Sequence, residues 1–267
     1  MNFTVENVNV SFRKERQKSV FGRERQQALK NISLTINQGE SLALVGESGS
    51  GKSTLGRVLS GLLKPDSGQA TMDGHDIYSG RSRSSSLRNQ ISIVFQDYTT
   101  SVNPRFRVGD IIGESLRVLS KSGQAENKSV QSQVASLLDQ VGLSASYALR
   151  YPHELSGGQL QRVCIARAVA VKPKLIVLDE AISSLDASTQ TQVMDLLQEL
   201  RRLHGFSYFF ITHDLTAVTY MCDRIIFLHC GHITESVDRI EDLPWVQDEY
   251  ARSLLAAVIK IDIEKTG

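Results

Sequence analysis

Gly46-Glu47-Ser48-Gly49-Ser50-Gly51-Lys52-Ser53 stands directly after an apolar strand, Leu42 to Val45, and directly before a helical stretch, Thr54 to Leu62. It fits the pattern G-x-x-x-x-G-K-[ST], whose chemistry is that of a phosphate cradle. Glycines 46, 49 and 51 let the backbone take positive φ, so that successive N–H groups turn inward on an anion. The helix N-terminus adds its partial positive charge. Lys52 then reaches the β and γ oxygens of a nucleotide, and the Ser53 hydroxyl suits Mg²⁺. A plain glycine-rich turn is the competing reading. The pattern arises by chance in on the order of 1% of chains this long, and rarely between a strand and a helix, so the segment is read as a nucleotide site.

Two further stretches extend it. Leu175-Ile-Val-Leu178 is an apolar strand that ends in Asp179 and Glu180, which predicts a carboxylate at the carboxyl end of the sheet, beside the phosphate loop, able to hold Mg²⁺ through water. Glu180 is the candidate general base for an attacking water. Leu155-Ser156-Gly157-Gly158-Gln159 precedes a helix over Leu160 to Val171, with Ser156 as its N-cap. The two glycines leave helix N–H groups accessible, which beside the phosphate loop reads as a second anion site on the same chain; an ordinary capped helix is the competing reading and the better one for the pentapeptide alone.

Around these motifs, short apolar runs alternate with helical periodicity. Strands are predicted at Phe3 to Phe12, Ile32 to Ile36, Ser41 to Val45, Ile91 to Phe95, Leu175 to Leu178, Tyr208 to Ile211 and Arg224 to Leu228. The strands at 41, 91, 175 and 208 are flanked by helices and imply a mainly parallel sheet, whereas the first strands read as antiparallel and half-exposed. Between Asp97 and Leu155 the pattern turns helical, with Val108, Ile111, Ile112, Leu116 and Leu119 on one face and Val130, Val134, Leu137, Leu138 and Val141 on another. The fold expected is therefore an α/β parallel-sheet core with an antiparallel β subdomain and an inserted helical subdomain at about 97–155. One domain over 1–240 and a short C-terminal helix and tail over 241–267 complete the plan. Arg13 to Gln27, Ser79 to Ser86 and Lys121 to Lys128 read as solvated loops. His229-Cys-Gly-His232 reads as a hairpin turn rather than a metal site, because two residues between potential ligands without a third make a poor cage.

Composition excludes other classes. With 30 Lys and Arg against 29 Asp and Glu, the net charge of +1 offers no steering toward nucleic acid. No apolar stretch approaches the 18 or more residues of a membrane span, and no secretory signal is visible at Met1 to Val10, so a cytosolic chain is expected. Three cysteines, 164, 222 and 230, without C-x-x-C spacing argue against a disulfide framework or a zinc knuckle.

The order of these features resembles an ABC transporter ATPase domain over roughly residues 1 to 235: the phosphate loop at 46–53, Gln96 after the Ile91 strand, LSGGQ at 155–159, LDE at 178–180, Ser184-Leu185-Asp186, and His213. The resemblance implies that two ATPase chains sandwich two ATP molecules. Ser156, Gly157 and Gly158, within Leu155 to Gln159, then hold the partner's γ-phosphate, and Asp186 crosses the dimer seam. It further implies that Gln96 touches Mg²⁺ or the lytic water, with Ser53 and Asp179 as the other metal-binding residues. His213 contacts the γ-phosphate and holds Glu180, and Phe12 stacks on adenine, with Phe21 as a second candidate. Catalytic roles fall to Glu180, His213, Gln96 and Lys52.

Phe95-Gln-Asp97, Ser101-Val-Asn-Pro-Arg105, Leu160 to Arg167 and Ala181 to Asp186 are similar to the nickel and peptide importer group, most of all to the second ATPase subunit of nickel importers. That likeness implies ATP-driven import of nickel or a nickel chelate, with a paralogous ATPase chain, two permease subunits and an extracytoplasmic substrate-binding protein as partners. The place implied is the cytoplasmic face of the inner membrane. A di- or oligopeptide importer is the alternative, and a soluble non-transport ABC ATPase is the alternative from another class.

Overall fold

The computed structural model describes residues 2–13, 25–79, 87–121 and 129–266. In chain order its strands and helices begin with β1 (Phe3–Arg13), β2 (Arg25–Ile36), β3 (Ser41–Val45), α1 (Lys52–Leu59), β4 (Ser67–Met72) and β5 (His75–Asp76). There follow β6 (Ile91–Val94), α2 (Val108–Lys121), α3 (Val130–Gln140), α4 (Gly157–Val169), β7 (Leu175–Asp179) and α5 (Ala187–His204). The chain closes with β8 (Ser207–Thr212), α6 (Leu215–Met221), β9 (Arg224–His229), β10 (His232–Val237) and α7 (Glu249–Thr266). Two units emerge, Met1–Gly80 with Phe209–Gly267, and Arg81–Tyr208.

In the first unit an antiparallel sheet runs in the order β2-β1-β4-β5. Phe3, Val5, Val8 and Val10 of β1 are buried. The alternation changes phase between Val5 and Val8, where the register with β2 shifts and Asn7 takes φ 51°, a bulge that returns valines to the core face. β3 pairs with β9 in parallel, Leu42 opposite Arg224 and Val45 opposite Phe227, and every residue of β3 is buried. β9 and β10 form an antiparallel hairpin with His229 opposite His232. Cys230 and Gly231 between them have φ 48° and 82°, the left-handed pair that a two-residue hairpin turn requires, as expected for that segment.

The sequence reading fell short in three places here. β2 starts at Arg25, not Ile32, because its polar first residues pair with Ser11 to Arg13 of β1, and Arg25 also bridges to Asp66 at 3.2 Å. β4 escaped detection because only Ala70 and Met72 of Ser-Gly-Gln-Ala-Thr-Met are buried. At the other end, within the segment read as a short helix and tail over 241–267, Ile240–Trp245 forms a 3₁₀ turn with Trp245 74% exposed, and α7 runs from Glu249 to Thr266.

In the second unit β6 and β7 are parallel and in step, Ile91 opposite Leu175 and Val94 opposite Leu178. Val108, Ile111, Ile112, Leu116 and Leu119 form the buried stripe of α2. Ser129 caps α3 by accepting from the Ser132 N–H, and Gly142, at φ 70°, ends it with its N–H on the Asp139 carbonyl. Asp186 caps α5, which Gly205 closes at φ 69°.

Candidate active site

The first unit carries the phosphate loop between β3 and α1, as the sequence requires. Gly46 is fixed by sterics: a Cβ there would lie 2.2 Å from the Leu228 carbonyl oxygen of β9. Gly51 is doubly required, since its φ is 112° and a Cβ would sit 2.5 Å from the Ala28 carbonyl oxygen. Gly49, at φ 80°, faces open space. Gly51 is also the N-cap of α1 and offers no side chain to its N–H groups. Lys52 is buried, its Nζ donating to the carbonyls of Gly46 at 2.7 Å and Glu47 at 2.8 Å.

Ser50 Oγ is buried and has no hydrogen-bond partner among the described residues. Glu47 and Ser48 are exposed, while Ser53 and Thr54 are half-buried in the first turn of α1. An orphaned hydroxyl, an uncapped helix start and a glycine cradle that a Cβ would fill together fit a nucleotide phosphate. Phe12 is 43% exposed near the end of β1. The alternative, Phe21, lies outside the described residues. His213 is exposed between β8 and α6, just ahead of Asp214, which caps α6 by accepting from the N–H groups of Thr216 and Ala217.

The second unit joins two residues from separate motifs. Gln96 Nε2 donates to Glu180 Oε2 at 3.0 Å. In-step pairing of β6 and β7 explains this, because Gln96 and Glu180 each lie two residues beyond the paired Val94 and Leu178. Glu180 takes φ 48°, a conformation uncommon for a residue with a side chain, and Ser183 fastens its carbonyl with both N–H (3.2 Å) and hydroxyl (2.9 Å). Asp179 ends β7 as a buried carboxylate.

Ser156 caps α4 in a reciprocal box: its Oγ accepts the Gln159 N–H at 3.3 Å, and Gln159 Oε1 accepts the Ser156 N–H at 3.0 Å. The two glycines, half-buried, have packing reasons. A Cβ on Gly157 would lie 2.6 Å from Tyr98 Oη, and one on Gly158 would lie 2.4 Å from Thr189 Cγ2. Leu155 is half-buried before this turn. A cavity of ≈420 Å³ opens beside it, lined by Ser144, Tyr147, Ser156, Gly158, Gln159 and Arg162 among others. Asp186 serves α5 as N-cap, accepting from the Thr189 N–H at 3.0 Å and hydroxyl at 2.7 Å, bonds that hold its carboxyl below the ordinary range.

Sequence reasoning missed the segment that ties Gln96 to the helix after LSGGQ. Asp97 Oδ1 gathers the N–H groups of Thr99 and Thr100, while Arg167 on α4 donates to the Ser101 carbonyl at 2.6 Å. Tyr98 packs on Gly157, and Tyr147 accepts from Gln159 Nε2 at 3.0 Å. The Asp-x-Thr-Thr turn was the available signal.

Residues 29–183 match the ABC transporter family. The metal-staphylopine import system ATP-binding protein CntF of Staphylococcus aureus is 45% identical over 218 residues, 82% of this chain and 85% of that protein. The oligopeptide transport ATP-binding protein OppF of Streptococcus mutans is 42% identical over 261 residues, 97% of this chain and 82% of that one. Among solved structures, the dimeric post-hydrolysis ATP-binding cassette MJ0796 with ADP and Pi aligns with a TM-score of 0.75 and 28% identity, over 89% of this chain and 98% of that one. With the α/β architecture, the phosphate loop and the LSGGQ turn, these likenesses are consistent and specific. The chain belongs to the ABC transporter family, as the ATP-hydrolysing cassette of an importer in its nickel and peptide group.

Proposed function

We propose that the chain powers import of nickel or a nickel chelate. The observation that carries the metal reading is the 45% identity to a protein named for metal-staphylopine import. Peptide import is the second reading, favoured by the 42% identity to an oligopeptide transport subunit over 97% of the chain.

In this proposal a paralogous ATPase chain is the partner in the dimer, ATP closes the dimer and hydrolysis opens it. Two permease subunits take up that motion and an extracytoplasmic binding protein selects the cargo. The chain works peripherally at the cytoplasmic face of the inner membrane; no helix among its described residues is long and apolar enough to cross a bilayer. Residues 1–240 act as the cassette, with 97–155 as its helical insertion and 241–267 as an appended helix.

Phe12 stacks on adenine, and residues 46–54 hold the triphosphate, with Lys52 on the β and γ oxygens. Ser53, Gln96 and Asp179 are the residues for Mg²⁺, a Lewis acid that neutralises phosphate charge when bound. Glu180 orients or deprotonates water, steadied by Gln96 and His213. Leu155 to Gln159 address the partner's ATP, and Asp186 meets the seam.

Uptake of radioactive nickel under metal limitation, comparing wild type with Lys52→Ala and running a labelled oligopeptide in parallel, tests the cargo. Loss of nickel uptake alone supports the first reading, and loss of peptide uptake alone supports the second. No change in either returns the chain to another cargo or to non-transport work.

A further inference from the structure

Tyr250 stands at the start of α7, far in sequence from the phosphate loop, yet its hydroxyl accepts the Glu47 N–H at 2.8 Å. The same peptide unit carries the Gly46 carbonyl, which accepts Lys52 Nζ at 2.7 Å. No cis peptide occurs among the described residues, so these two groups leave opposite edges of one plane. One plane at the mouth of the loop is thus gripped by Tyr250 on its N–H edge and by the phosphate-binding lysine on its C=O edge. Lys52 also reaches the Glu47 carbonyl at 2.8 Å, so a rotation about that plane disturbs both of these lysine contacts.

The phenol is held firmly enough to act. Glu235 of β10 accepts the N–H groups of Gln247 at 3.0 Å and Asp248 at 2.7 Å, and Asp248 caps the helix by accepting the Ala251 N–H at 3.0 Å. The Tyr250 ring lies 4.0 Å, centroid to centroid, from His229. His229 ends β9 and follows Leu228, whose carbonyl forbids a Cβ at Gly46. Gly231 in the hairpin turn adds a further tie, its N–H donating to the Ser50 carbonyl at 3.0 Å. Burial pushes the Tyr250 phenol further up from its ordinary value.

We propose that Tyr250 is a positioning residue for ATP: by holding the Glu47 N–H, it fixes the Gly46–Glu47 peptide plane that orients Lys52, and so sets the affinity of the loop for the triphosphate. The proposal deepens the nucleotide-binding role given to residues 46–54 above and rests on it.

Tyr250→Phe keeps the ring against His229 and removes only the acceptor. Binding of a fluorescent ATP analogue with Mg²⁺ to the purified full chain is expected to weaken about three- to tenfold, the range of one net hydrogen bond, with the thermal midpoint of the nucleotide-free protein unchanged. In the assembled transporter the KM for ATP rises by a similar factor, more than kcat falls. Glu235→Gln, which loosens the helix start, gives a smaller shift in the same direction. Wild-type affinity in Tyr250→Phe overturns the proposal and leaves the nucleotide site standing, as does a loss of affinity matched by a fall in the thermal midpoint. Absence of analogue binding to the wild type overturns the nucleotide site itself and the proposal with it.

Discussion

Gln96 and Glu180 are joined by a 3.0 Å hydrogen bond, from the side-chain amide of one to the carboxylate of the other, at matching positions beyond two in-step parallel strands. One strand leads into the Asp97 turn and the other into the Glu180 turn at φ 48°. A carboxylate with one oxygen already engaged has a restricted orientation, which is what a group that aligns water needs. Gln96→Ala is expected to slow ATP hydrolysis about tenfold while moving the thermal midpoint by no more than about 2 °C, since the bond is exposed and structurally minor. Gln96→Glu sets two carboxylates against each other and is expected to do at least as much damage at neutral pH. Steady-state phosphate release measures both.

The three loop glycines have different tolerances. Gly46→Ala meets a backbone oxygen at 2.2 Å and Gly51→Ala one at 2.5 Å, with φ 112° besides, so each is expected to destabilise by about 2–3 kcal/mol and to lose nucleotide binding. Gly49→Ala meets nothing and bears only the left-handed φ penalty of about 1 kcal/mol. Thermal unfolding with analogue titration of the three variants gives the ranking.

Asp97 is held down to about 2, chiefly by the Thr99 side chain and then by Thr100. A depressed carboxyl contributes to the folded turn above its usual value near 3.8 and loses that contribution as pH falls through about 2. The turn after Gln96 is therefore expected to persist through mild acid. An NMR titration of the Asp97 carboxyl should give a midpoint near 2, and Thr99→Val should raise it toward 3.8.

Thiol reactivity follows burial. Cys230 is exposed in the β9–β10 turn, whereas Cys164 and Cys222 are buried and burial pushes the Cys164 thiol up. An aromatic disulfide reagent is expected to modify one thiol rapidly in the native protein and the other two only on unfolding.

Much of this was legible in the sequence because the decisive signals are local. The phosphate loop carries its strand, glycines and helix within one short stretch from Ser41 to Leu59, and Ser156 announces α4 by capping chemistry alone. The stripe on α2 follows from spacing. What stayed hidden depends on partners far along the chain. Gly46 is demanded by Leu228, Gly157 by Tyr98 and Gly158 by Thr189, contacts that no spacing rule encodes. β4 buries too few side chains to leave a strand pattern, and Tyr250, half-buried among polar residues, carries no mark of its bond to Glu47.

ATP hydrolysis by the assembled transporter carrying Glu180→Gln tests the central claim most directly, measured together with retention of bound nucleotide. The account predicts that ATP binds, the dimer stays closed and turnover falls at least about a hundredfold, because the group that aligns water is lost while the phosphate loop is intact. Turnover near the wild-type rate would remove Glu180 from catalysis and contradict the mechanism assigned to this cassette.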